Sequence, residues 1–212
     1  MNNIENIFMC LAAPLLIAST VTKERGRRLM IFMLTGMASC LFSSYISTFI
    51  AAEQGADVIS ASLEISPFVE EIMKLFPLIF YILVFEPTVT SDILDACMMT
   101  AIGFATLENV CFLMTNGSED IIELAIRGFG TGTMHVVCAS FVAFGLLHLW
   151  NRLWLRVAVT VAFLCAATTF HGVFNVLVSQ TGIPMYIGFI IPVGTMVGIL
   201  VLRKRLKLRG II

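Results

Sequence analysis

The chain has 212 residues, of which 58% are hydrophobic and only 13% charged, with a formal net charge of -1 and a mean hydropathy of +0.96. A water-soluble globule carries about a quarter charged residues, so this composition excludes one and describes a polytopic membrane protein sitting in a lipid bilayer. Nucleic acid binding finds no support, and the six cysteines (Cys10, Cys40, Cys97, Cys111, Cys138 and Cys165) fall singly in apolar segments without a CxxC pair, so they read as small core residues.

About 20 apolar residues cross a hydrocarbon core, and apolar runs between polar punctuation predict seven spans. The first, about 4–22, has no basic residue ahead of it and reads as a retained span, not a cleaved signal. The second, about 29–50, follows Lys23, Arg25, Arg27 and Arg28. The third, about 67–85, carries Glu70, Glu71 and Lys74 ahead of Pro77, which leaves the carbonyl of Met73 without its usual helical donor. The fourth, about 93–114, carries Glu108 and Asn109. The fifth, about 128–150, carries His135 near one end and His148 at the other, which reads as interfacial; Gly128 and Gly132 form a small-xxx-small pair suited to helix packing. The sixth, about 157–178, carries His171 and Asn175, and the seventh, about 185–202, has no titratable interior residue. With no repeat or linker, residues 1–212 read as one membrane-embedded, all-α domain.

Basic loops stay cytoplasmic. Lys23 to Arg28, then Arg152 and Arg156, then Arg203, Lys204, Arg205, Lys207 and Arg209 hold eleven of the thirteen basic residues, and an odd number of spans puts all three places on one side. The N-terminus is therefore expected outside and the C-terminus inside. The opposite loops agree, since 51–66 carries Glu53, Asp57 and Glu64, and 115–124 carries Glu119, Asp120 and Glu123, neither with a Lys or Arg.

An ionisable residue inside a span is a functional-site hypothesis by default. With this topology Glu71, Glu108, His135 and His171 lie roughly 6 to 11 Å below the outer face at about 1.5 Å per residue. Four helices thus bring titratable groups to one layer, a polar chamber in the outer leaflet. Glu70 and Lys74, like His171 and Asn175, are four apart and share a face, whereas Glu71 is turned about 100° from Glu70. One carboxylate is expected to pair with Lys74 and the other to face water or substrate. Two carboxylates in low dielectric do not both ionise easily, and one of them suits a general base for water. Neutral histidines and an amide suit oxyanion stabilisation. The same Glu and His inventory also suits zinc with one open position.

The ordered set Glu70-Glu71-x-x-Lys74, Phe104-x-x-x-Glu108-Asn109, isolated His135 and His171-x-x-x-Asn175 resembles the PrsW family of intramembrane proteases, distant relatives of type II CAAX-prenyl endopeptidases. The resemblance covers about residues 67–178. It implies an endopeptidase of the bacterial inner membrane that makes a site-1-type cut in a single-span substrate, such as an anti-sigma factor, near the extracytoplasmic face. Carried over from the CAAX relatives, Glu70 is the water-activating base, Glu71 its helper, and His171 and Asn175 the oxyanion donors. The chain departs from the CAAX pattern at Glu108-Asn109, where that pattern has histidine, and at Lys74, one residue earlier than the CAAX arginine. Cofactor expectations are none or zinc, and the missing His-Glu-x-x-His motif leans towards metal-free chemistry. A proton-coupled transporter and a non-catalytic scaffold for membrane helices are the rival classes, alongside a CAAX-like endopeptidase acting on other peptides.

Overall fold

A computed structural model describes residues 4–117, 120–148 and 153–208, which form an all-helical bundle. The elements are α1 (Ile4–Val21), α2 (Glu24–Gln54), α3 (Val58–Ser60), a π turn (Ala61–Ile65), α4 (Ser66–Phe85), α5 (Thr90–Asn116), α6 (Ile121–His148), α7 (Leu153–Val178) and α8 (Ile183–Leu208). All seven expected spans are present as helices. Among the described residues six helices (α1, α2, α5, α6, α7 and α8) are long and apolar enough to cross a membrane. The 20-residue α4 matches the required length, but Glu70, Glu71 and Lys74 make it too charged to qualify on composition alone.

Several helices run longer than expected, α8 for example continuing to Leu208. α2 starts at Glu24, and α6 starts at Ile121 instead of near 128, because polar residues such as Glu123 and Arg127 end an apolar run without ending a helix. Arg152, Arg209 and Glu119 lie outside the described residues, as do the side chains of His148, Arg156, Arg203, Lys204, Arg205 and Lys207.

The lead into α4 has a clear local cause. Asp57 caps α3, its side chain accepting from the Ser60 N–H at 2.7 Å, and that bond holds its carboxyl below the usual range. Pro67 has no N–H to give the Leu63 carbonyl, so the ordinary i+4 bond is lost there and the chain forms the π turn instead. α4 then runs through Pro77 and stops at Glu86, which takes a left-handed backbone (φ 44) ahead of Pro87.

α2 and α5 cross closely through two glycines. A Cβ on Gly36 would stand 2.0 Å from the Thr100 carbonyl oxygen, and one on Gly103 would stand 1.9 Å from the Met33 carbonyl oxygen. Beside this crossing Met37, Cys40, Phe104 and Leu107 are buried together. Where α2 and α5 begin, Arg28 grips Asp92 with two bonds of 2.7 and 2.8 Å, and Arg25 pairs with Asp95 at 3.1 Å. Gly128 and Gly132, expected to pack helices, instead face open space; the close glycine contacts of α6 are made at Gly130, against which the Phe189 ring of α8 lies, and at Gly145, beside Thr160 of α7. The cysteine expectation holds for Cys40, Cys97 and Cys138, which are buried, whereas Cys10 and Cys165 sit on the outer surface of the bundle.

Replacing Gly103 with Ala is expected to push α2 and α5 apart and destabilise the fold by about 1–3 kcal/mol. Thermal unfolding in detergent, followed by labelling of the buried cysteines, measures this; an unchanged midpoint would contradict the close crossing.

Candidate active site

Four helices supply one connected cluster: Glu70, Glu71 and Lys74 from α4, Glu108 from α5, His135 from α6 and His171 from α7. Glu71 lies at the centre with its side chain 1% exposed. Its Oε1 accepts from Lys74 Nζ at 2.6 Å and stands 2.8 Å from His171 Nδ1. Lys74 Nζ is also 2.9 Å from His135 Nδ1, and His135 Nε2 is 2.5 Å from Glu108 Oε2. Phe104 closes one side, its ring centroid 5.0 Å from the ammonium and 4.9 Å from the His135 ring centre.

These contacts set the tautomers. An ammonium has donors only, so His135 Nδ1 accepts from Lys74, and its Nε2 carries the hydrogen given to Glu108. Glu71 is an acceptor, so His171 Nδ1 donates to it. A neutral His171 ring then has a bare lone pair on Nε2, which stands 3.6 Å from Glu70 Oε2. That Glu70 oxygen is buried with no hydrogen-bond partner among the described residues. A buried acceptor left unsatisfied is costly, which marks this oxygen as one with a ligand or a proton to receive.

The division between the adjacent carboxylates, open in the sequence, is resolved by this geometry. Glu71, three residues before Lys74, takes the ion pair, and Glu70 does not. The expected convergence of four helices is present, although the longer α6 places His135 about 21 Å from its own first residue. Asn175 has a different partner from the one expected: its amide donates to the Ser62 carbonyl in the π turn at 3.0 Å. It shares its helix face with His171 and so ties the entry to α4 against α7. Asn109 keeps its Oδ1 buried without a hydrogen-bond partner among the described residues. Sequence reasoning missed Arg127, whose guanidinium lies 3.3 Å from the Phe112 ring centre. Its signal was the eight-residue spacing to His135, which puts both on one face of α6.

Oxygen and imidazole donors from Glu70, His135 and His171 lie within 4.8 Å of one another. Two of them, Glu70 Oε2 and His171 Nε2, have free lone pairs facing each other, and carboxylate with imidazole is a donor set that suits zinc. The residues therefore fit a metal, with Lys74 competing for His135 Nδ1.

Residues 24–202 match a family model described as PrsW family intramembrane metalloprotease. No curated protein and no solved structure matches the chain. The description names a metal, against the metal-free leaning drawn from the missing His-Glu-x-x-His motif.

Breaking the buried pair should be severe. Lys74→Met leaves Glu71 uncompensated and is expected to lose about 3–5 kcal/mol, whereas the double variant Glu71→Gln/Lys74→Met recovers part of it. Thermal unfolding of the purified proteins tests this, and a single variant as stable as the parent would refute the central role of the pair.

Proposed function

Because the chain belongs to the PrsW family of intramembrane metalloproteases, we propose that its membrane helices act as one protease domain in a bacterial inner membrane. It cuts a single-span membrane protein, an anti-sigma factor or similar regulator, close to the extracytoplasmic face. The observation that carries this reading is the unpartnered Glu70 oxygen beside the bare His171 nitrogen.

Glu70 takes a proton from water as the oxygen attacks the peptide carbonyl, and returns it to the departing amine. Glu71 holds His171 by Nδ1, so that Nε2 faces the reacting groups. Lys74 holds Glu71 in place through their ion pair and passes a hydrogen bond to His135, which Glu108 orients from the other side. The metal that the family description names would be held by one Glu70 oxygen, by His171 Nε2 and, once Lys74 releases it, by His135 Nδ1, leaving the other Glu70 oxygen as the base; when bound it supplies Lewis-acid polarisation of water or carbonyl. A neutral His171 with Nδ1 committed to Glu71 has no hydrogen on Nε2, so an oxyanion donor role does not suit it. Asn175, tied to Ser62, serves as a positioning residue for the π turn.

The substrate side is supported by where the cluster sits. It lies in the half of the bundle away from the Arg25 and Arg28 ion pairs. Inward of it Leu75, Leu78, Cys97, Ala139 and Val142 are buried together. That apolar packing favours chemistry confined to one leaflet over a polar path crossing the membrane, which a transporter needs.

Purified protein given single-span reporter proteins should cleave one of them on its extracytoplasmic side, with fragments mapped by mass spectrometry. Glu70→Gln is expected to slow the reaction at least about 100-fold, and a chelator to stop it until zinc is restored. Cleavage by the Glu70→Gln protein at the parent rate would remove the assignment.

A further inference from the structure

Arg127 is a cation for which the cluster has no evident use. It lies on α6 two turns outward of His135 on the same face, and its guanidinium stacks on Phe112, one turn outward of Glu108 on α5. Among the described residues its buried Nε has no hydrogen-bond partner and its guanidinium makes no ion pair. Glu108 is within its electrostatic reach but gives its Oε2 to His135. A membrane arginine that serves only as an interfacial anchor extends its head outward to water and phosphates. This one is instead packed against the Phe112 ring of the neighbouring helix, with its Nε buried. Gly128, which follows it in the chain, and Gly132, one turn further along α6, face open space.

We propose that Arg127 is a carboxylate-binding subsite that selects substrates with an Asp or Glu on the extracytoplasmic side of the cleaved bond; this deepens the protease reading and rests on it. A guanidinium presents a planar fork of donors matched to a carboxylate. Eight helical residues separate Arg127 from His135 by about 12 Å, which an extended peptide covers in about four residues. The selected acid is thus expected about four residues from the bond.

The test uses the full chain in nanodiscs and pairs of single-span reporter proteins that differ only in Glu or Gln, scanned along the extracytoplasmic juxtamembrane segment. Cleavage is measured with the parent and binding with the Glu70→Gln form, so the binding arm stands even where no reporter is cut. At one position near the fourth from the bond, the Glu reporter is expected to bind and be cut about tenfold better. Arg127→Gln makes the two reporters equal, Arg127→Lys keeps part of the difference, and Arg127→Glu prefers a Lys reporter. Cysteine-labelling melts check folding, and the Lys and Glu forms carry the test if the Gln form is unstable. Equal binding of Glu and Gln reporters at every position, as expected for an arginine engaged with lipid phosphate, overturns the proposal. So does a Glu preference that survives Arg127→Gln. Parent-like cleavage by Glu70→Gln, by contrast, counts against the protease reading alone.

Discussion

Lys74 buries its ammonium inside a bundle of apolar helices, where Glu71 Oε1 at 2.6 Å and His135 Nδ1 at 2.9 Å accept from it. Everything around it inherits a direction from that fact. A donor-only group at His135 Nδ1 forces the ring hydrogen to Nε2 and towards Glu108. The same ammonium claims Glu71 as a carboxylate, which forces His171 to donate from Nδ1 and to expose its other nitrogen. One cation thus sets two tautomers on two other helices, with no water needed to do so.

The adjacent pair Glu70 and Glu71 owes its division of labour to helix geometry. Neighbours turned about 100° apart cannot enter one environment, so one carboxylate becomes structural and the other is left open. Burial would make an open oxygen a defect in a scaffold. In a hydrolase of this family it is a place for a proton or a metal to arrive.

Much of this was legible in the chain itself. Apolar run lengths give the spans, and the helical rise places Glu71, Glu108, His135 and His171 in one layer, where they do meet. What was hidden depends on contacts between helices. Which glutamate pairs with Lys74 follows from how α6 and α7 approach α4, and no spacing within α4 decides it. The π turn comes from Pro67, but its tie to Asn175 is a contact between segments far apart in the chain. Gly128 and Gly132 have the spacing of a packing motif, yet Gly130, on another face of α6, is the one that meets Phe189. Periodicity names the faces of a helix without saying which neighbour each will find.

The glycine crossing of α2 and α5 reaches beyond packing. α5 carries Glu108 only five residues past Gly103, so a helix with no chemical group of its own sets how far that carboxylate stands from His135. A minimal enzyme trimmed to the motif-bearing helices would keep every reactive atom and lose the wall against which one of them is braced.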